Sequence, residues 1–257
     1  MAADVGLVAA AIVVGLCFGS FLNVCILRLP RDQSLLRPRS TCPQCKQPIA
    51  WRDNIPVFSW LWLRGKCRWC HKPISLQYPV IEALVGVLFG AAVLGYGLTL
   101  QALSAAVFGT ILLGIAITDA RHYLIPDEYT WSGLVVGLLV ALGGGVPGFL
   151  EALLGAAAGF GLLWAVAQAG AWVFKEEAMG GGDIKMMAMV GSFVGWRGVL
   201  LTVFAGAALG SLIFVPLSLK KKKRLVPFGV FLAVGAAVTF VFGDAIIAWY
   251  GHFLRGD

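Results

Sequence analysis

Long apolar stretches separated by short polar segments run along most of the chain, and they predict membrane-spanning helices. A helix needs about 20 mostly apolar residues to cross the bilayer. The sixth of the stretches is short, and the boundary around Arg197 is the weakest, so six or seven spans remain an alternative. The eight predicted spans are 4–27, 79–98, 101–118, 130–146, 149–174, 184–196, 199–219 and 228–250.

The composition strengthens this prediction. Of the 257 residues, 59% are hydrophobic and 13% are charged, and the mean hydropathy is +0.85. A soluble fold of this composition would expose far more apolar surface than water tolerates. The sequence therefore predicts an all-α polytopic membrane protein with about eight transmembrane helices. Its 33 glycines allow close contacts between those helices.

Basic residues are concentrated in four of the predicted loops, at 28–78, 119–129, 175–185 and 220–227. These loops hold all of the 20 Lys and Arg residues except Arg197 and Arg255. Short loops rich in Lys and Arg stay on the cytoplasmic side, so the four loops are expected there and both termini outside. This orientation and anionic membrane lipid explain the net charge of +7, and no nucleic-acid partner is predicted.

The first cytoplasmic loop contains four cysteines in two Cys-x-x-Cys pairs, which 21 residues separate. This spacing matches a tetrahedral zinc site in which each pair supplies two thiolates. The loop is too small for a large core, so metal binding is expected to supply much of its folding free energy. Two disulfides are the alternative, and a cytoplasmic location argues against them. The predicted ligands of a structural Zn²⁺ are Cys42, Cys45, Cys67 and Cys70.

Two aspartates, Asp119 and Asp183, lie at the edges of long apolar stretches, and the predicted topology places both at the cytoplasmic boundary. A carboxylate beside a bilayer is costly and typically functional. Two close carboxylates that share a proton can activate water and protonate a leaving amine, so we predict a membrane aspartic protease. The preceding Gly180, Gly181 and Gly182 are predicted to shape the site by letting the backbone approach substrate. A helix N-cap is the alternative role for Asp183.

Other charged residues have separate interpretations. Glu82 lies just inside the second predicted span, where a buried acid is a functional candidate. Its alternative role is to pair with an arginine of the cysteine loop. Asp127 and Glu128 are predicted to stabilise the start of a helix through its dipole. Lys185 lies two residues after Asp183, where its charge would favour an ionised acid, and contact with solvent or lipid headgroups is an equal alternative.

Short motifs surround these residues along nearly the whole chain. They are Gly19-Ser20-Phe21-x-Asn23, Asn54-Ile55-Pro56, Ser59-Trp60-Leu61, Arg64-Gly65-Lys66, Tyr78-Pro79-x-x-Glu82, Ile125-Pro126-Asp127 and Pro227-Phe228-Gly229. Together with the four cysteines, Asp119 and the Gly-x-Gly-Asp pattern that ends at Asp183, they resemble the type IV prepilin peptidases. These enzymes are the leader peptidases of pilus and type II secretion systems.

The resemblance implies a bifunctional enzyme of the bacterial inner membrane. Such an enzyme removes the leader of a prepilin or pseudopilin at the cytoplasmic face, and Asp119 and Asp183 are the implied catalytic residues. It then methylates the new N-terminal amine with S-adenosylmethionine, a step with which the family associates Glu82. The expected domains are a first span at 1–28, a zinc-binding loop domain at 29–78 and a peptidase domain at 79–257.

Two other classes of protein are weighed against the enzyme. A transporter or proton channel also places acids in the membrane, but near its midplane on paired broken helices, whereas Asp119 and Asp183 lie at one edge. A scaffold of a pilus or secretion machine is the second alternative. A scaffold would tolerate substitutions of Asp119 and Asp183 that abolish cleavage by an enzyme. The sequence predicts no particular oligomeric state.

Overall fold

The computed structural model describes residues 4–37, 39–176, 179–218 and 226–255. Helices dominate these residues, which form no strand and only two isolated β-bridges, Thr41 with Pro48 and Lys66 with Pro73. The prediction of an all-helical protein is confirmed. The helices are α1 Val5–Arg28, α2 Phe58–Trp62, α3 Gln77–Tyr96, α4 Leu100–His122, α5 Asp127–Ala141, α6 Gly145–Phe174, α7 Gly181–Ser218 and α8 Phe228–Arg255.

Six helical segments of the described residues are long and apolar enough to cross a membrane, so the predicted eight spans are not confirmed. Two of the six are interrupted. The segment Asp127–Phe174 contains the 3₁₀ turn Leu142–Gly144 and Gly145 at φ +70°, and α7 contains Gly195 at φ +67°. Both interruptions lie where separate spans were predicted. In the structure, each break occurs at a glycine with positive φ inside one apolar segment.

The chain forms two compact units, Met1–Thr110 and Ile111–Asp257. In the first unit, α1 packs closely on α3. A side-chain carbon at Gly15 would lie 2.7 Å from the carbonyl oxygen of Val85, and one at Gly19 would lie 2.6 Å from the Cα of Glu82. Small residues four apart allow this close approach of membrane helices. The contact fixes the turn of α3 that carries Glu82 against α1.

In the second unit, α6 and the first half of α7 approach until their backbones touch. A side-chain carbon at Gly155 would lie 2.1 Å from the carbonyl oxygen of Gly191, and one at Gly159 would lie 2.0 Å from that of Met187. No side chain fits at either glycine. Met186, Met187 and other side chains of this half of α7 are fully buried. The core of the second unit therefore forms around the helix whose first turn contains Asp183.

The predicted membrane orientation and the predicted functional domains are not tested by the structure. The basic run at 220–224, one of the four segments used to predict orientation, lies outside the described residues. The orientation itself, with both termini external, stays a prediction. The division into functional domains at residues 28 and 78 also stays a prediction.

Candidate functional site

Four cysteine sulfurs of the first unit lie together. All Sγ atoms of the cluster are within 4.8 Å of one another, and the Cys42–Cys70 and Cys45–Cys67 pairs are each 3.9 Å apart. A disulfide requires about 2.05 Å, so these cysteines are free thiols. Four thiolates about 2.3 Å from a tetrahedral zinc lie roughly 3.8 Å from one another. The cluster therefore has the donors and the spacing to hold a zinc ion.

The two halves of the cluster are copies of one turn. In the first, the N–H of Lys46 donates to the carbonyl of Cys42 at 2.9 Å, and in the second that of His71 donates to the carbonyl of Cys67 at 3.0 Å. Lys46 and His71 both adopt positive φ, at +61° and +54°. The underlying repeat, Cys-x-x-Cys-x-x-Pro-Ile, occurs twice in the sequence. The cysteine spacing alone predicted the ligands, and the longer repeat is the signal that predicts two matching turns.

The electrostatics of the cluster favour a thiolate at Cys42 and a protonated thiol at Cys45. The N–H of Gln47 lowers the pKa of Cys45, but burial and the neighbouring thiols raise it to about 11. Burial of Cys42 raises its pKa, but the N–H groups of Cys45 and Gln44, followed by the Cys67 and Cys45 thiols, together lower that pKa to about 6. Metal ligation requires the deprotonated sulfur. At neutral pH, therefore, at least one ligand of the cluster needs little free energy to lose its proton.

A salt bridge supports the second cysteine turn. Arg68, which follows Cys67, donates from Nε to Asp53 Oδ2 at 2.7 Å and from NH2 to Oδ1 at 2.5 Å. The Asp53 side chain is 7% exposed and that of Arg68 38% exposed. The Arg68 guanidinium holds the pKa of the Asp53 carboxyl below its usual range. This bidentate pair joins the 3₁₀ turn Trp51–Asp53 to the cysteine cluster.

Glu82 ties the loop of the first unit to α3. Its side chain is buried, and Oε2 accepts the backbone N–H of Val57 at 2.7 Å. Val57 adopts φ +59°, an uncommon and strained conformation for a β-branched residue, at the start of α2. One alternative from the sequence placed an arginine beside Glu82, whereas the structure places a backbone amide there. Glu82 therefore stabilises the path of the loop.

Asp119 lies near the end of α4 in the second unit and is 5% exposed. Its Oδ2 accepts the backbone N–H of Val230 at 3.1 Å, in the first turn of α8. A side-chain carbon at Gly229 would lie 2.9 Å from this oxygen and 2.7 Å from Cδ1 of Ile125. The start of a helix presents free N–H groups to an anion, so α8 holds the Asp119 carboxylate in place.

Asp183 is the third residue of α7, so it lies inside the first turn and not at the N-cap position considered from the sequence. Its N–H donates to the carbonyl of Gly180 at 3.2 Å. Its Oδ1 is buried without a hydrogen-bond partner among the described residues, and the charge of Asp119 acts on its carboxyl group. A buried unpaired carboxylate oxygen is costly and is free to bind water or substrate.

The three glycines before Asp183 differ in their surroundings. A side-chain carbon at Gly182 would lie 3.0 Å from the Cβ of Ile125, whereas one at Gly181 would meet nothing within 4 Å. One at Gly180 would lie 3.5 Å from Asp183 Oδ2, an ordinary contact. Of the three, Gly182 alone is closely packed by a neighbouring segment.

An ion pair joins the first turns of α5 and α7. Lys185 Nζ lies 2.6 Å and 2.8 Å from the two carboxylate oxygens of Asp127. Asp127 and Glu128 occupy the first turn of α5, where their charges suit the helix dipole as predicted. The position of Lys185 in the sequence suggested Asp183 as its partner, whereas the structure pairs it with Asp127.

Comparison with known proteins agrees with this arrangement. Residues 13–96 match the bacterial Peptidase A24 N-terminal domain, and residues 106–215 match the type IV leader peptidase family. The prepilin leader peptidase/N-methyltransferase of Aeromonas hydrophila is 34% identical over 266 residues, which cover 91% of this chain and 90% of that protein. The chain belongs to the type IV leader peptidase family.

Other relatives carry the same name. The protein of Stutzerimonas stutzeri is 36% identical over 278 residues, covering 96% of this chain and 95% of its own. The protein of Myxococcus xanthus is 44% identical over 207 residues, covering 79% of this chain and 62% of its own. No solved structure matches the chain.

Family membership confirms the resemblance and the prediction of an enzyme of the aspartic leader peptidase class. With the six apolar helices, it makes the chain a multi-pass protein of the inner membrane. The sequence did not predict the backbone N–H groups that bind Asp119 and Glu82. Pro227-Phe228-Gly229 was noted as a motif without a role, and the structure places Gly229 directly against Asp119.

Proposed function

We propose that this protein cleaves the leader of type IV prepilins or type II secretion pseudopilins with Asp119 and Asp183, and then N-methylates the new N-terminus. The observation that carries the peptidase part is the pairing of two differently held acids in one unit. Asp119 is fixed by the N–H of Val230, while Asp183 keeps a buried oxygen for which the described part of the chain provides no partner. The names of the relatives support prepilins as substrates.

The peptidase chemistry needs one carboxylate as a base and one carboxylic acid. The base takes a proton from a water molecule as its oxygen attacks the scissile carbonyl. The acid stabilises the developing oxyanion and then protonates the leaving nitrogen. The unpaired Oδ1 of Asp183 is suited to direct contact with the water or the carbonyl, and α8 prevents Asp119 from turning away.

The substrate is an apolar helix behind a short charged leader. In the predicted topology both aspartates lie at the cytoplasmic boundary, where the peptide bond between leader and helix emerges from the membrane. Helical backbone is sterically protected, so the substrate must unwind locally at this bond. Gly181, two residues before Asp183, leaves open space for that extended segment.

The methyltransferase part rests on the relatives' names and on Glu82. S-adenosylmethionine would supply the methyl group when bound. Glu82 is a buried acid of the first unit that accepts a backbone N–H, whereas Asp53 is paired with Arg68, and a buried negative charge suits the cationic donor or the amine. Its hydrogen bond to Val57 also positions the loop.

We further propose that the four cysteines bind a structural Zn²⁺. Four thiolates complete the tetrahedral coordination of zinc, so no position is left for a water or a substrate. The ion would join the two cysteine turns and so stabilise the loop whose path Glu82 also fixes. The proposed zinc ion is therefore structural and takes no part in catalysis.

The test is cleavage and methylation of a purified prepilin by the full-length protein in detergent, followed by the mass of the product. Asp119→Asn and Asp183→Asn should each reduce cleavage by about 10²-fold to 10⁴-fold, the usual contribution of a positioned acid or base. Glu82→Gln should retain cleavage, and its product should lack the methyl-sized mass gain seen with S-adenosylmethionine.

Asp244→Asn is the matched control, because Asp244 is an exposed acid on α8 and should leave both activities unchanged. Cleavage that survives in Asp119→Asn or Asp183→Asn would disprove the pair as catalytic. Equal loss of cleavage and methylation in Glu82→Gln would assign that residue a purely structural role.

A further inference from the structure

The first unit contains a cavity of about 510 Å³ where the end of α1 meets the following loop. The lining includes the apolar side chains of Phe21 and Val24 on α1, together with Arg28, Arg39 and Trp51. None of the residues that line it is acidic. The cavity therefore presents both apolar and cationic side chains.

The two arginines contribute in different ways. Arg28 donates from NH1 to the carbonyls of Ser34 at 2.8 Å and Leu35 at 3.3 Å, which fixes its guanidinium as part of the wall. Arg39 is exposed, and no hydrogen bond or ion pair joins it to another described residue. Its five N–H donors are therefore open to a bound anion, for which guanidinium geometry suits phosphate.

The cavity is oriented along a membrane helix. Arg28 follows Phe21 by seven residues on α1, so about 10 Å separate the cationic level from the apolar level. The Phe21 side chain is 52% exposed, on a helix that is apolar enough to cross the membrane. Trp51 is 82% exposed at the same cavity, as is typical of tryptophan at the depth of lipid headgroups.

We propose that this cavity is a binding site for an anionic phospholipid of the inner membrane. The phosphate binds Arg39 beside the fixed Arg28, and the upper part of the acyl chains packs on Phe21 and Val24. Charge argues against S-adenosylmethionine as the occupant, because the donor carries a cationic sulfonium and an ammonium group, and the lining has no acid to pair with either. The same charge argues against the basic leader of a prepilin.

The test is native mass spectrometry of the full-length protein in mild detergent, titrated with phosphatidylglycerol or phosphatidylcholine. Phosphatidylglycerol should bind at least about tenfold more tightly, since an anionic headgroup gains about 1 kcal/mol from each nearby basic residue. Arg39→Glu should weaken phosphatidylglycerol binding by about tenfold or more. Arg37→Glu makes the same charge change on an exposed neighbour outside the lining and should stay within about twofold of wild type.

Arg39→Gln removes the charge without reversing it and should show a smaller loss in the same direction. The zinc content of each variant verifies that the loop is folded. If Arg37→Glu and Arg39→Glu weaken phosphatidylglycerol binding equally, general surface charge explains the binding, and the proposed site is wrong. Displacement of the lipid by glycerol phosphate at equal concentration would show a free phosphate site, and displacement by S-adenosylmethionine would assign the cavity to the methyl donor. Either result would overturn the proposal.

Discussion

The cysteine loop of the first unit and the aspartate region of the second unit assemble functional side chains by different means. In the loop, each pair of candidate ligands lies on one short turn, and the two turns are copies. In the aspartate region, the amide that holds Asp119 is 111 residues away in the chain. Local hydrogen bonds shape the first site, whereas packing between distant helices shapes the second.

The cysteine loop and the aspartate region also differ in the interactions that stabilise them. The loop is short of apolar core, so its folding would depend on the proposed metal ion and on a few polar contacts, such as those of Asp53 with Arg68 and of Glu82 with Val57. The aspartate region depends on glycines, such as Gly159 and Gly229, that leave no space for a side chain. Each region should therefore be sensitive to changes that leave the other intact.

The largest expected effect is loss of a cysteine ligand. Cys67→Ser should lower the zinc affinity by more than about 100-fold, because a structural zinc site contributes about 10 to 16 kcal/mol and a hydroxyl is a poor ligand. Zinc content by elemental analysis and protease cleavage of the loop measure this effect. Cys17→Ser is the control, since Cys17 is exposed on α1 outside the cluster. Full zinc retention in Cys67→Ser would show that the cluster is not a metal site.

A substitution at Gly159 tests the packing of the second unit. Gly159→Ala places a carbon 2.0 Å from the carbonyl oxygen of Met187 and should destabilise the protein by about 3 kcal/mol or more. Gly161→Ala on the same helix has open space and should be neutral or stabilising by up to about 1 kcal/mol. Thermal unfolding in detergent measures both. Zinc content should remain unchanged, and zinc loss in Gly159→Ala would refute the independence of the two regions.

A substitution at Gly229 tests whether the position of the Asp119 carboxylate matters for activity while the fold is retained. Gly229→Ala places a carbon against Asp119 Oδ2 and Ile125, which should displace the carboxylate and reduce kcat/KM for a prepilin by about 10²-fold. Gly251→Ala lies on the same helix with open space around it and should retain full activity. Wild-type activity in Gly229→Ala would mean that the contact of α8 with Asp119 does not matter for cleavage.

The smallest expected effect comes from the salt bridge of the loop. The Asp53 pKa is lowered in the folded state, so the pair stabilises the loop above the unfolded value of about 3.9 and loses this contribution as the pH falls through the folded value. Asp53→Asn should cost up to about 1 kcal/mol at pH 7, since Arg68 is partly exposed.

Hydrogen exchange of the loop amides measures this difference between variant and wild type, which should shrink below about pH 4. Asp32→Asn, which changes an exposed acid of the same unit, should show no comparable pH dependence. If the difference in hydrogen exchange between Asp53→Asn and wild type does not change with pH, the substitution acts through lost packing and not through lost charge.

The same contrast explains what the sequence could predict. The cysteine ligands were identified because their spacing is itself the local structure of the turns. Asp119 and Asp183 stood out because charge is rare in apolar stretches. The N–H groups that hold Asp119 and Glu82 belong to Val230 and Val57, and a backbone donor carries no residue-type signal.

The number of spans shows a second limit of sequence patterns. Hydropathy predicted eight spans, whereas the described residues form six apolar segments, two of which are interrupted at glycines. A glycine at positive φ breaks a helix without any change in polarity, as Gly195 does within α7. The strong patterns therefore predicted the fold class and the approximate positions of both breaks, and the structure showed that each break lies at a glycine within one apolar segment.

The contact between α8 and Asp119 has a consequence for biosynthesis. During translation, α4, α5, α6 and α7 leave the ribosome before α8, so Asp119 is inserted long before Val230 can donate to it. A nascent chain therefore contains both aspartates without the amide that fixes the first. If Asp119 acts as proposed, the peptidase would become active only after α8 has docked, and neighbouring membrane proteins would be protected from premature cleavage.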